Sequence, residues 1–228
     1  MSTVFELEVN RLRKALLAEA TLVEEAIGRA IQAFRERDDK LAGEVIEGDH
    51  AIDLKEVEVE EECLKILALH QPVAKDLRFI VAVLKMNNDL ERMGDIAVSI
   101  ARRALYLARR GQADDLRPEI RGMAETVLSM VGESLDALIN ADVALARRVC
   151  AKDDEVDAMK RRISERIRDL IQREPSRTPI LLKVLDLPRH LERLADLATN
   201  IAEDVVYLVE GEITRHQRTP VQPDDAAA

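Results

Sequence analysis

Residues 89–101 read DLERMGDIAVSIA, and residues 190–202 read HLERLADLATNIA. One chain thus writes the same acidic phrase twice, with Glu91 matching Glu192, Arg92 matching Arg193, Asp95 matching Asp196 and Ser99 matching Asn200 at an offset of 101. Around each phrase the apolar residues step by three and four. They are Val83, Met86, Leu90, Met93, Ala97, Ile100, Ala104 and Leu107 in the first copy, and Val184, Leu187, Leu191, Leu194, Ala198, Ile201, Val205 and Leu208 in the second. That spacing is the core seam of a long amphipathic helix.

The duplication extends upstream. DDKLAGEVIEGDHAID from Asp38 aligns with DVALARRVCAKDDEVD from Asp142 at an offset of 104, matching Asp49 to Asp153 and Asp53 to Asp157. A connection three residues shorter explains the change of offset. Helical periodicity covers about residues 3–36, 39–70 and 74–110, then 116–139, 143–173 and 177–211. The sequence predicts an all-α fold of two tandem, similar three-helix bundles, residues 1–111 and 112–212, followed by a disordered tail, 213–228, that has two Pro and no periodicity. Asp38 and Asp142 suit N-caps, because a carboxylate there accepts bonds from the free amides of the first turn. Pro72 and Pro175 mark the turns before the third helices, and Gly111 and Pro118 flank the boundary between the halves.

Composition agrees. Of 228 residues, 47% are hydrophobic but only 2% aromatic, with no Trp, eight Gly and seven Pro, which suits long helices over sheets. A net charge of -10 with interspersed signs argues against nucleic acid as a partner. No run approaches the roughly 20 apolar residues that span a bilayer, and the opening lacks a signal-peptide pattern, so a cytoplasmic protein is expected. Cys63 and Cys150 lie within helical patterns and read as buried, reduced thiols.

At 100° per residue, Glu91, Asp95 and Ser99 project away from the seam, as do Glu192, Asp196 and Asn200. An i, i+4 acid pair is usually a solvated face. Here, however, the same stripe carries Ile80, Leu84 and Leu105 in one half and Leu181, Leu185 and Val206 in the other. Hairpin geometry adds a second argument. Asp53 and Glu91, and likewise Asp49 and Asp95, are equidistant from Pro72; Asp157 and Glu192, and Asp153 and Asp196, are equidistant from the Glu174–Pro175 junction. Antiparallel helices therefore set four acids level in each half, with rotation about the helix axes left open. At about 6 Å and an effective dielectric of about 20, adjacent carboxylates repel by roughly 3 kcal/mol. Raised carboxyl pKa values, arginine counterions such as Arg92 and Arg193, or a bound cation can offset this. An all-oxygen cage favours hard cations, and the absence of nearby Cys excludes a thiolate zinc site. His50, His70, His190 and His216 follow no repeat register and read as surface or packing residues.

ERMGDIAVSIA, ERLADLATNIAEDVVYLVEG and QPVAKDLRFI together resemble the PhoU family of phosphate-signalling proteins over nearly the whole chain. The resemblance implies a cytosolic protein, often a homodimer, that binds multinuclear metal clusters. It further implies negative regulation of phosphate uptake and of the phosphate-starvation response, through the ATPase subunit of a phosphate ABC transporter and a sensor histidine kinase, without catalysis. By motif position the metal ligands would be Asp49, Asp53, Glu91, Asp95, Asp153, Asp157, Glu192, Asp196 and Asn200. The ion would be iron, manganese, magnesium, zinc or calcium held on carboxylates. Ser99 and Ala195 stand where the family has Asn and Gly, so occupancy can differ between the halves.

Two other readings compete. A ferritin-like di-metal enzyme also sets carboxylates on helices but needs two inward E-x-x-H pairs, and the only such spelling here is EGDH at 47–50. A helical scaffold with solvated acids and no metal is the second.

Overall fold

The computed structural model describes residues 3–110 and 116–211. The expected linker glycine, Gly111, and the expected disordered tail lie outside the described residues.

Helix α1, Thr3–Glu36, ends where Arg37 turns left-handed at φ 58°. Asp38 then caps α2, Asp39–Gly48, its carboxylate accepting from the amides of Lys40 at 3.0 Å and Leu41 at 2.9 Å. Helix α3, His50–His70, stops at left-handed Gln71 just before Pro72, and α4, Ala74–Arg110, returns antiparallel to it. The second half repeats the plan with α5, Arg117–Asn140, whose first turn holds Pro118; α6, Val143–Ala151; and α7, Asp153–Arg173. Asp142 caps α6 as Asp38 caps α2, accepting from the Leu145 amide at 2.9 Å. A short 3-10 turn, Pro175–Arg177, leads into α8, Thr178–Val184, and α9, Asp186–Glu210. Among the described residues there is no strand, and no helix is long and apolar enough to cross a membrane.

Three expected continuous helices are broken. The 39–70 segment kinks at Asp49, which stays right-handed at φ -56°, ψ -39° while the Ile52 amide bonds its carbonyl three residues back at 2.8 Å. Its counterpart 143–173 kinks at Lys152, which bonds Val149 O at 3.0 Å before the acids Asp153, Asp154 and Glu155 open α7. Acids favour a fresh helix start there because of the helix dipole. The 177–211 segment breaks at Leu185 for another reason. Pro188 has no N–H for the Val184 carbonyl, and its ring crowds that carbonyl.

In the first half α1 packs on α4 and α3, with α2 laid across α4; in the second α5 packs on α9 and α7, with α6 laid across α9. The halves meet along α4 against α9 and α1 against α5, so one apolar cluster runs through both. Every seam residue named from the sequence is buried except Leu208, which is half-buried. The acid-bearing stripe borders the core, since Ile80, Leu181 and Val206 are buried, while Asp95 and Asp196 between them are exposed and Glu91 and Glu192 half-buried. Both cysteines are free; burial is the main cause that raises the Cys63 thiol to about 12 and the Cys150 thiol to about 11, leaving neither as a ready nucleophile.

Candidate metal centre

The kink at Asp49 resolves the rotation that sequence left open. It makes Asp49 the residue that precedes α3 and puts Asp53 in the first turn, within reach of the charges of Glu91 and Asp95 on α4. Gly94 permits this approach. A Cβ added there would meet Ile52 at 3.1 Å and lie 3.6 Å from Asp49 Oδ1, so the α3 entrance rests almost on the α4 backbone. Ala195 occupies the matching position in the second half.

The acids in each half feel one another. Burial, then the charges of Asp53 and Asp95, hold the Asp49 carboxyl above the usual carboxylate range. Glu91 is raised by burial and then by Asp95, Glu56, Asp53 and Asp49, so the charges acting on it are all carboxylates. In the second half burial followed by Asp157, Asp154 and Glu192 raises Asp153. Asp196 is pushed to about 6 by burial, then Glu192, Asp153 and Asp157, with Lys160 opposing. By these mutual charges the eight predicted acids group four to each half. Asn200 lines a cleft of about 470 Å³ against α4, with Asn88, Asp89 and Arg92 also in its walls.

Arg92 is not the counterion of the first cluster that the sequence allowed, because its guanidinium turns to Asp89 at 3.6 Å. Arg102 acts on Asp49 only through its charge, whereas the second cluster has cations in direct contact. Lys160 Nζ donates to Glu192 Oε1 at 2.6 Å, and Arg161 lies 3.8 Å from Asp157. The 104 offset pairs Lys160 with Glu56 and Arg161 with Val57, so the first half carries an acid and an apolar residue where the second carries two cations.

Sequence reading missed Glu19. It sits on α1 with 0% exposure, and both carboxylate oxygens lack a hydrogen-bond partner. Burial, then the charges of Glu56 and Glu91, raise it to about 8. The repeat contained the signal. Extending the 104 offset into the first helix matches Leu16 to Ile120, Glu19 to Met123 and Val23 to Val127, which exposes an acid in a core seam. The histidines stay apart from this chemistry: His50 is exposed, His70 pairs with Glu8 at 2.6 Å, and burial keeps His190 below its usual pKa and hence neutral at pH 7. His216 lies outside the described residues. Glu47 and His50, the lone E-x-x-H pair, are both exposed at the kink, not inward as a di-metal enzyme requires.

Oxygen donors with raised carboxyl pKa values and an orphaned buried carboxylate fit a hard cation. Among the described residues no group of three or more Asp, Glu, His or Cys is gathered at a spacing that could hold a metal ion.

This duplicated arrangement is shared with known proteins. The PhoU domain family model matches the chain twice, over residues 16–104 and 120–205. The chain belongs to the PhoU family. A phosphate-specific transport system accessory protein PhoU homolog from Aquifex aeolicus is 40% identical over 212 residues, covering 92% of this chain and 95% of that protein. One from Pseudomonas aeruginosa is 38% identical over 216 residues, covering 95% and 89%. The crystal structure of PhoU from Pseudomonas aeruginosa superposes with a TM-score of 0.89 at 38% identity, over 91% of this chain and 100% of that one. The phosphate transport system regulatory protein PhoU from Streptococcus pneumoniae gives 0.84 at 33% identity, over 92% and 98%. The two PhoU repeats thus coincide with the two helical halves that carry the acid clusters.

Proposed function

We propose that this PhoU family member is a cytoplasmic negative regulator of phosphate uptake and phosphate-starvation signalling. It acts as a metal-binding adaptor, a homodimer that contacts the ATPase subunit of a phosphate ABC transporter and a sensor histidine kinase, and performs no reaction of its own. The phosphate role is supported by membership of a family whose relatives bear the name of phosphate transport accessory and regulatory proteins. The observation that carries the metal reading is the pair of acid clusters at the helix breaks, α3 on α4 and α7 on α9, where burial and neighbouring carboxylates raise Asp49, Glu91, Asp153 and Asp196. Asp49, Asp53, Glu91 and Asp95 would hold an ion in the first half, and Asp153, Asp157, Glu192 and Asp196, with Asn200 beyond them, in the second. Bound there, iron, manganese, magnesium, zinc or calcium supplies charge neutralisation, tying α3 to α4 and α7 to α9 so that the docking surface is rigid.

A metal-free second half is the reading favoured by one specific contact, Lys160 to Glu192 at 2.6 Å, since an ammonium already offsets part of the negative charge.

Deletion of the gene in phosphate-replete cells tests the regulatory role. Uptake and starvation-gene expression are expected to rise, and tagged protein is expected to recover the transporter ATPase and the kinase. Unchanged uptake and expression, with neither partner recovered, refutes the reading.

A further inference from the structure

The two halves differ most on the inner side of their acid clusters. Three polar groups of the first half, Glu19, Glu56 and Asn87, each have an unlike counterpart in the second: Met123, Lys160 and Pro188 at the 104 and 101 offsets. Met123 is fully buried, as a seam residue should be, whereas Glu19 at the same station is fully buried with two unpartnered oxygens. An unpartnered carboxyl, even when protonated, costs more in a core than a thioether, so a structural role alone gives no reason for Glu19. Its surroundings give one. After burial, the charges of Glu56 on α3 and Glu91 on α4 raise Glu19, with Lys55 opposing, so three helices bring carboxyls within electrostatic reach of one another. Asn87, one turn before Glu91, donates its amide to the Glu56 carbonyl at 3.0 Å and leaves its own buried Oδ1 without a partner. In the second half Lys160 Nζ sits 2.6 Å from Glu192, so a tethered ammonium takes the station that Glu56 leaves negative.

The geometry points to an inner cation subsite in the first half alone, where Glu19 and Glu56 join Glu91 in holding one additional hard divalent cation through oxygen. The inference rests on the acid clusters binding metal, and it makes the halves unequal: the first takes one ion more than the second. Orientation follows from the packing of α1 on α3 and α4, which fixes the backbone stations and leaves the side chains to close on the ion by rotation.

Manganese titration of the full chain, by calorimetry and by elemental analysis after gel filtration, tests this. Glu19→Met, which copies Met123, is expected to lower the count by one ion per chain. It should also raise the melting temperature of chelator-treated protein while shrinking the rise on adding manganese. Glu19→Gln repeats the test without the change in shape, and Asp95→Asn reports on the outer cluster independently. Unchanged manganese count and an unchanged metal-induced melting shift in both Glu19 variants, with loss in Asp95→Asn, overturn the subsite and leave the outer clusters standing. A wild-type chain that takes up no manganese overturns both.

Discussion

Replacing Glu19 by Met should remove a defined piece of the pH dependence of metal-free stability. Glu19 has an ordinary carboxyl value of 4.5 and is raised to about 8 in the fold, mainly by burial. Between those values the native state keeps a proton that the unfolded chain has released, so stability is fully present below about pH 4.5 and is lost as pH rises through about 8. One proton corresponds to a slope of roughly 1.4 kcal/mol per pH unit, a loss of up to about 5 kcal/mol over the whole interval. From pH 5.5 to 7.5 the single group contributes about 3 kcal/mol, or roughly 6–12 °C of melting temperature for a chain of this size. Asp49, Glu91, Asp153 and Asp196 are raised as well and slope the same way, so the difference between wild type and variant isolates Glu19 and whatever its neighbours relax. Thermal melting and urea unfolding in chelator across that range are the assay. Parallel curves for the two proteins would refute the buried, proton-holding carboxyl.

Lys160→Met removes the ammonium 2.6 Å from Glu192, so metal-free stability should fall by about 1 kcal/mol, a figure kept small because the pair is partly exposed. In the same variant, manganese binding by the second half should tighten at least tenfold in calorimetry, a gain of about 1.4 kcal/mol; weaker or unchanged binding contradicts the counterion role. Gly94→Ala gains about 1 kcal/mol of helix propensity but presses Ile52 from 3.1 Å and crowds Asp49. Metal-free stability should therefore move by less than about 1 kcal/mol, while ion affinity of the first cluster drops, as followed by unfolding and titration side by side.

Much of this was written in the sequence. The seams around Met86, Leu90 and Met93, and around Leu191, Leu194 and Ala198, follow helical periodicity, and Asp38 and Asp142 cap as their side chains dictate. The level pairing of the eight acids followed from Pro72 and Pro175 as hairpin centres. The breaks at Asp49 and Lys152 did not show, because apolar spacing runs through them while the backbone stays right-handed. Pro188 was a legible break, lost within a strong helical pattern. Glu19 was hidden for a related reason: an acid in a seam looks like noise until the repeat sets it beside Met123. Counterions, too, belong to three dimensions, since Arg92 neighbours Glu91 in sequence yet turns to Asp89.

Elemental analysis of protein purified without chelator, on wild type beside a chain carrying Asp49→Asn, Asp53→Asn, Asp153→Asn and Asp157→Asn, measures the matter most directly. Carboxylate clusters that hold ions predict hard metal bound to the wild type in more than single stoichiometry and lost from the variant, which still shows a helical spectrum. A wild type free of metal, or a folded variant with equal metal content, contradicts the account.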